Sequence, residues 1–335
     1  MNETWDCIVV GGGAAGLSAA LVLGRARRRT LVLDAGGQSN LAASGIGGLL
    51  GHDHRPPAEL YAAAHAELAG YPTVELRRGE VVGAAREDGR FAVDLADGAR
   101  ETARRVLLAT GMEYRPPSLP GIAQRFGRSV VHCPFCHGWE LRERPLCVLD
   151  RGATGVERAL LLRAWSDGVT LLTDGASDLD TDQTARLHAA GVTIDERPVA
   201  GLSGPGDTLE AVVFADGAER ACRGLLVPVT LHQRSPLAAQ LGADAAPAGP
   251  VAADALAVDA MFATTAEGVY AAGDTSAQMQ SVALAIAAGA TAAAGVVRDL
   301  MSENGKCALS SGAVVPSADT VPQEESPWPQ TRRAS

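Results

Sequence analysis

The chain has 335 residues, 47% hydrophobic and 20% charged, with a formal net charge of −10. That length exceeds what one small core organises and sets two domains as the expectation, and the composition excludes a disordered chain. The acidic balance argues against nucleic acid and against an anionic membrane surface as partners.

The first elements stand close to the N-terminus. DCIVVGGGAAGLSAALVLGRA, residues 6–26, reads as a buried strand, a glycine turn and an amphipathic helix. Glu3 and Asp6 stand where a signal peptide would carry basic residues, and glycines interrupt the apolar run, so no targeting segment is read and a cytoplasmic setting is expected. Gly11, Gly13 and Gly16 satisfy G-x-G-x-x-G. The first permits a tight turn, the second lets a pyrophosphate approach the backbone, and the third lets helix and sheet pack closely. Ala14 and Ala15 open the helix, whose basic end (Arg25, Arg27, Arg28, Arg29) reads as solvated. A second strand, TLVLD, ends in Asp34, where a carboxylate can bond an adenosine ribose. The unit suits either NAD(P) or FAD.

Further along, AGGQSNL (35–41) follows the acid directly, and VLLATG (106–111) is a buried strand closing on a small-residue turn. RPPSLPG, 115–121, reads as a proline-rich crossing between domains. HCPFCHGWE, 132–140, pairs Cys133 with Cys136 between His132 and His137. Four ligands within six consecutive residues do not readily surround a tetrahedral zinc, and no second Cys/His pair lies elsewhere. The other cysteines stand alone, and Cys7 and Cys147 sit in strand contexts that suit a small hydrophobe. A redox dithiol is therefore the reading for Cys133 and Cys136, ahead of a structural disulfide or a metal site.

Beyond the pair, PLCVLD (145–150), GATGVERALLLRAW (152–165) and GVTLLTDG (168–175) read as strand, helix and strand. APAGPVA, 246–252, marks a return, and TTAEGVYAAGD, 264–274, ends a strand at Gly273 and Asp274. The Ala/Gly-rich run 282–297 reads as too weakly hydrophobic for a bilayer span, and the Ser/Pro/Gln-rich residues 306–335 as a flexible tail.

On these segments the chain resembles the low-molecular-weight thioredoxin reductase-like FAD flavoproteins, over nearly all of residues 5–304. The resemblance implies an α/β fold of two dinucleotide-binding, Rossmann-like domains, the second inserted in the first. Residues 1–114 and 245–305 would form the FAD-binding domain, and 115–244 an inserted module like an NADPH domain, carrying the cysteine pair. It implies FAD as cofactor, with Asp274 on the ribityl chain and Ala109, Thr110 and Gly111 against the flavin. A helix starting at Val282–Ala283 would aim its positive end at the pyrimidine ring. Gln38, Asn40 and Val82 join the expected cofactor-binding set, and a homodimer is the expected assembly. In the family the cysteine pair opens a helix, whose N-terminus favours the thiolate. Cys136 would face the flavin and Cys133 the substrate.

Two departures from the reductase pattern give the pair a direction. The inserted module has Asp150 in place of the first glycine of its dinucleotide turn, although Gly152 and Gly155 remain, and LLTDGASDLD offers three aspartates and no arginine for a 2′-phosphate. His137 stands where an aspartate acid/base is usual, and imidazole titrates near neutrality. Cys-x-x-Cys-His-Gly-aromatic-Glu, together with GGLLGHD (47–53), resembles a subgroup that includes the dithiol oxidases of gliotoxin and holomycin biosynthesis. That resemblance implies oxidation of a small-molecule dithiol with dioxygen as acceptor, His137 acting as base. His132 is either a second base or a histidine satisfied by backbone. The rival readings are a reductase fed by NAD(P)H, a flavin reductase fed by another electron-transfer protein, and a dithiol-sequestering resistance protein.

Overall fold

The computed structural model describes residues 4–303; the tail read at 306–335 lies outside them. The strand Trp5–Val10 pairs in parallel with Thr30–Asp34 on one side and Arg100–Leu108 on the other, and Val74–Arg78 extends the sheet beyond Thr30–Asp34. These strands are apolar on both faces because helices cover one face and a second core the other. Arg100–Leu108 is shared along its outer edge. Its first half pairs antiparallel with Arg90–Leu95 and its second half parallel with Val269–Ala271, so the chain's late strand returns to the first sheet.

Helix α1 (Ala14–Arg25) and the last helix, Val282–Glu303, pack side by side over this sheet. The approach is close because Gly289 has no side chain; a Cβ there would run into the Ala15 carbonyl. By length and composition Val282–Glu303 is apolar enough to cross a membrane, which corrects the reading of it as too weakly hydrophobic. Its apolarity has another use here: Ala288, Ala292, Val296 and Leu300 are buried in the core beneath it. Helix α2 (Pro57–Leu68) closes the same core with Tyr61 and Leu68.

The inserted domain is a five-stranded parallel sheet in which Leu146–Leu149 lies between Val169–Leu172 and Gly224–Leu226. Helix α3 (Pro134–Leu141) carries the cysteine pair, α4 (Gly152–Leu162) and α5 (Thr181–Ala189) follow, and Asp180 caps α5 in a capping box with Gln183. The strands Met112–Arg115 and Thr230–Gln233 pair antiparallel and form the double crossing between domains. After the second crossing, helix α6 (Leu237–Gln240) buries Leu237 and Ala238 in the first domain's core. The chain is thus back in the first domain's core by Leu237, earlier than the return expected at 245. The composition of APAGPVA marked a loop, not the crossing itself. Val282–Glu303 is α7 in chain order.

Candidate active site

The glycine turn forms as its spacing requires. Gly11 sits at φ +111, and a side chain there would collide with the Ala109 carbonyl, so the two turns expected to hold the cofactor lie against each other. Gly16 does not line the cavity. It acts one layer back, its missing side chain leaving room for the Gly11 carbonyl. Asp34 fixes the turn through Oδ1, which accepts from the Gly12 and Gly36 amides at 3.2 and 3.0 Å. Gln38 Nε2 donates to Asp34 Oδ2 at 3.0 Å and to the Gly12 carbonyl at 3.1 Å.

These residues line a cavity of about 750 Å3 whose wall also holds Gly13, Ala14, Ala15, Asn40 and Val82. Ala109, Thr110, Gly111, Gly273, Asp274 and Val282 complete the expected set around it. Ala283 does not belong: it is exposed, and Ala285 lines the cavity instead. The reason is helix register. Ser281 Oγ accepts from the Leu284 amide and its carbonyl from the Ala285 amide, so the helix starts on Ser281 and turns Ala283 outward.

Asp274 is half-buried in the cavity wall. Tyr114 donates its hydroxyl to Asp274 Oδ2 at 2.8 Å, and Arg234 lines the same space while bonding the Gly37 and Met112 carbonyls. Burial pushes the Asp274 carboxyl up, opposed by the Tyr114 hydrogen bond and the Arg234 charge. Burial, together with the Asp274 charge, likewise pushes the Tyr114 phenol up. Tyr114, Tyr61 and Arg234 were missed in the sequence because no motif marks them; only Tyr114, three residues after the ATG turn, had a positional hint.

The residues fit FAD. A glycine cradle at a helix N-terminus faces the cavity, a carboxylate ends the second strand, and Asn40 Nδ2 is buried in the wall without a hydrogen-bond partner among the described residues. Asn40 Oδ1 is held by the Tyr61 hydroxyl at 2.8 Å, which leaves Nδ2 as the group offered to a ligand.

Cys133 and Cys136 form a disulfide with their Cα atoms 5.4 Å apart. Cys133 is the N-cap of α3 and Pro134 its first residue, so the pair opens the helix as expected. Cys136, His132 and His137 line the cofactor cavity and Cys133 does not, which matches one inward and one outward sulfur. The GGLLGHD segment has a structural role. A side chain on Gly47 would meet the Cys136 carbonyl, and beyond the segment His54 Nδ1 lies 3.0 Å from Glu140 on α3. His52, the histidine of GGLLGHD, instead contacts Arg55 at 3.1 Å.

The two histidines differ. His132 is wedged between the rings of Phe126 and Tyr114, at centroid distances of 5.9 and 5.1 Å. Burial, with the nearby His137 and Arg158 charges, pushes its imidazole down to about 4. It is a neutral ring packed among rings, so neither backbone satisfaction nor a base near neutrality describes it. His137 is also lowered by burial, but the Cys133 carbonyl and Glu140 favour its charged form, and its Nδ1 has no hydrogen-bond partner among the described residues.

At the second dinucleotide turn, Asp150 pairs with Arg158 of α4 and accepts from the Arg151 amide at 2.8 Å. Arg151 in turn reaches back to the carbonyl of Asp174, at the end of the next strand. The Asp150 charge is thus neutralised within the protein, and the turn is bound to its own side chains.

With this geometry in view, the family is clear. Residues 5–292 match the pyridine nucleotide-disulphide oxidoreductase family, and the chain belongs to it. It is an FAD-dependent thiol/disulfide oxidoreductase of thioredoxin reductase-like fold. Among its relatives, thioredoxin reductase tcpT of Claviceps purpurea is 33% identical over 85% of this chain and 90% of its own length. Thioredoxin reductase sirT of Leptosphaeria maculans is 30% identical over 87% and 93%. Among solved structures, an oxidoreductase from Agrobacterium tumefaciens superposes with TM-score 0.84 at 37% identity, covering 89% of this chain and 99% of that one. HlmI superposes with TM-score 0.84 at 34% identity, covering 91% and 95%.

Proposed function

We propose that this protein is a dithiol oxidase that closes an intramolecular disulfide in a small-molecule dithiol and passes the electrons to dioxygen, giving hydrogen peroxide. The observation that carries the reading is the second dinucleotide turn, where Asp150–Arg158 and Arg151–Asp174 occupy the groups a nicotinamide dinucleotide would need. With the turn filled by the protein's own Asp150–Arg158 pair, the thiol substrate is the electron source.

His137 takes the proton of a substrate thiol, and the thiolate attacks Cys133 Sγ. The Cys133–Cys136 bond breaks and Cys136 leaves as a thiolate, favoured by the α3 N-terminus. The second substrate thiolate then attacks the sulfur bound to Cys133, closing the substrate disulfide and releasing Cys133. Bound FAD supplies a two-electron acceptor beside Cys136 and a route to dioxygen. Tyr114 holds Asp274 for that cofactor, and the Phe126, His132 and Tyr114 rings line the same cavity as Cys136.

The Cys-His-Gly-Trp-Glu pattern is common to oxidases of both substrate classes, and the arginine bias of the chain tilts the choice to a dithiolopyrrolone such as reduced holomycin. A cytoplasmic homodimer is the assembly this reading carries. An oxygen electrode with a peroxide assay tests it. Reduced holomycin should give one peroxide per dioxygen consumed and a product two hydrogens lighter. Product formed only with added NADPH, or none at all, would replace the oxidase with a reductase or a sequestering protein.

A further inference from the structure

His137 stands in a wall between two cavities. One is the cofactor cavity; the other, of about 650 Å3, lies beyond α3 between the inserted domain and the Ser44–Gly45 loop of the first domain. His137 lines both, whereas neither Cys133 nor Cys136 lines the second. The second space therefore reaches the base without reaching the sulfurs. Its walls are charged, with Arg128, Arg144 and Arg223 facing Glu140, Glu143 and Asp207, which suits water and not an apolar ligand.

We propose that the second cavity is the proton exit of the thiol exchange, a water-filled space through which His137 hands substrate protons to solvent. This rests on His137 being the base. In the exchange two substrate S–H bonds and the Cys133–Cys136 bond break, and one substrate S–S bond forms. The two electrons stay on the enzyme sulfurs as thiolates, so two protons leave. One imidazole accepts only one proton at a time and must discharge between the two attacks.

The surroundings suit that cycle. Glu140, on the same helix, and the Cys133 carbonyl favour imidazolium, while His132, before α3, faces it as a neutral ring. Glu140 is itself tied to His54 from the first domain at 3.0 Å. Across the cavity, Arg128 is paired with Asp207 at 3.0 Å and Arg223 with Glu210 at 3.3 Å, which keeps the far wall from repelling an outgoing proton.

The test is anaerobic rapid mixing of the holoenzyme with dithiothreitol in weak buffer with a pH-indicator dye, read as proton release into bulk. Thr208 lines the second cavity, is exposed and lies off α3. Thr208→Trp should slow proton release toward the His137→Ala rate, with FAD content and melting temperature unchanged. In His137→Ala, imidazole should restore proton release, and Thr208→Trp added to it should abolish the rescue. Wild-type release rates in Thr208→Trp, with His137→Ala slow, would overturn the exit and leave the base assignment standing. A His137→Ala enzyme as fast as wild type overturns both. If Thr208→Trp does not fold, failure of imidazole to rescue His137→Ala overturns the exit.

Discussion

Gly47→Ala is the sharpest perturbation of the contact between the first domain and the redox helix. A Cβ at Gly47 would lie 3.1 Å from the Cys136 carbonyl carbon and 3.4 Å from its Cα, with the carbonyl oxygen closer still. These are backbone atoms of a helix first turn and cannot swing aside, so overpacking should cost about 1–3 kcal/mol. The only ion pair across the same contact among the described residues, His54–Glu140, is half-exposed and contributes no more than about 1 kcal/mol, too little to hold the surfaces together. The 47–53 loop should then lift from α3, and the equilibrium constant for the arrangement with Cys136 facing the cofactor cavity should fall roughly 5- to 150-fold. Anaerobic mixing with a dithiol, read as bleaching of the flavin band, should slow measurably, by at most that factor, at unchanged FAD content. His54→Ala should slow it less than about fivefold. Wild-type bleaching in Gly47→Ala would refute the assignment of this contact as what positions the inner sulfur.

Asn40→Ala should lower FAD retention on gel filtration by about tenfold, because it removes the one buried amide offered to the cavity while leaving the Tyr61 hydroxyl unpaired. Asp274→Asn should weaken FAD binding yet raise the melting temperature of the apoprotein at neutral pH. The Asp274 pKa is raised in the folded state, so its ionised form opposes folding progressively as pH rises above the ordinary carboxylate range. His132→Phe should remove an acid sensitivity. With a folded pKa near 4 against 6.5 unfolded, the unfolded chain binds the extra proton, so wild-type stability is full above pH 6.5 and falls toward pH 4. That loss is on the order of 3 kcal/mol, measurable as melting temperature against pH. A pH–rate profile displaced between pH 6 and 9 in His132→Phe would contradict its reading as a packed neutral ring.

The cofactor half of the molecule was legible because backbone geometry demands particular residues at fixed offsets. Gly11, Gly13 and Asp34 are dictated by a turn, a close approach and a strand end, and each stands where the pattern put it. The inner and outer placement of Cys136 and Cys133 came from the family resemblance, and in the structure Cys136 lines the cavity while Cys133 does not. Ala283 was misplaced for a local reason: reading Ser281 as the helix cap would have rotated the face to Ala285. Other features were not local at all. Gly47 against Cys136, Tyr114 on Asp274 and Arg234 on Gly37 join residues far apart in the chain, and no spacing rule reports them. Arg158 is the instructive case. Asp150 stood out as a carboxylate in a glycine's place, but its partner lies one face along the following helix among residues that read only as amphipathic pattern.

The central claim is the direction of electron flow, and one comparison tests it most directly. Anaerobic holoenzyme is mixed in a stopped-flow instrument with NADPH in one run and with a small dithiol in the other, and flavin absorbance is followed. The account predicts full bleaching by the dithiol and none by NADPH over the same time, with Cys136→Ser abolishing the dithiol response. Rapid bleaching by NADPH would show that the Asp150–Arg158 turn still admits a nicotinamide dinucleotide, and the proposed direction would be reversed.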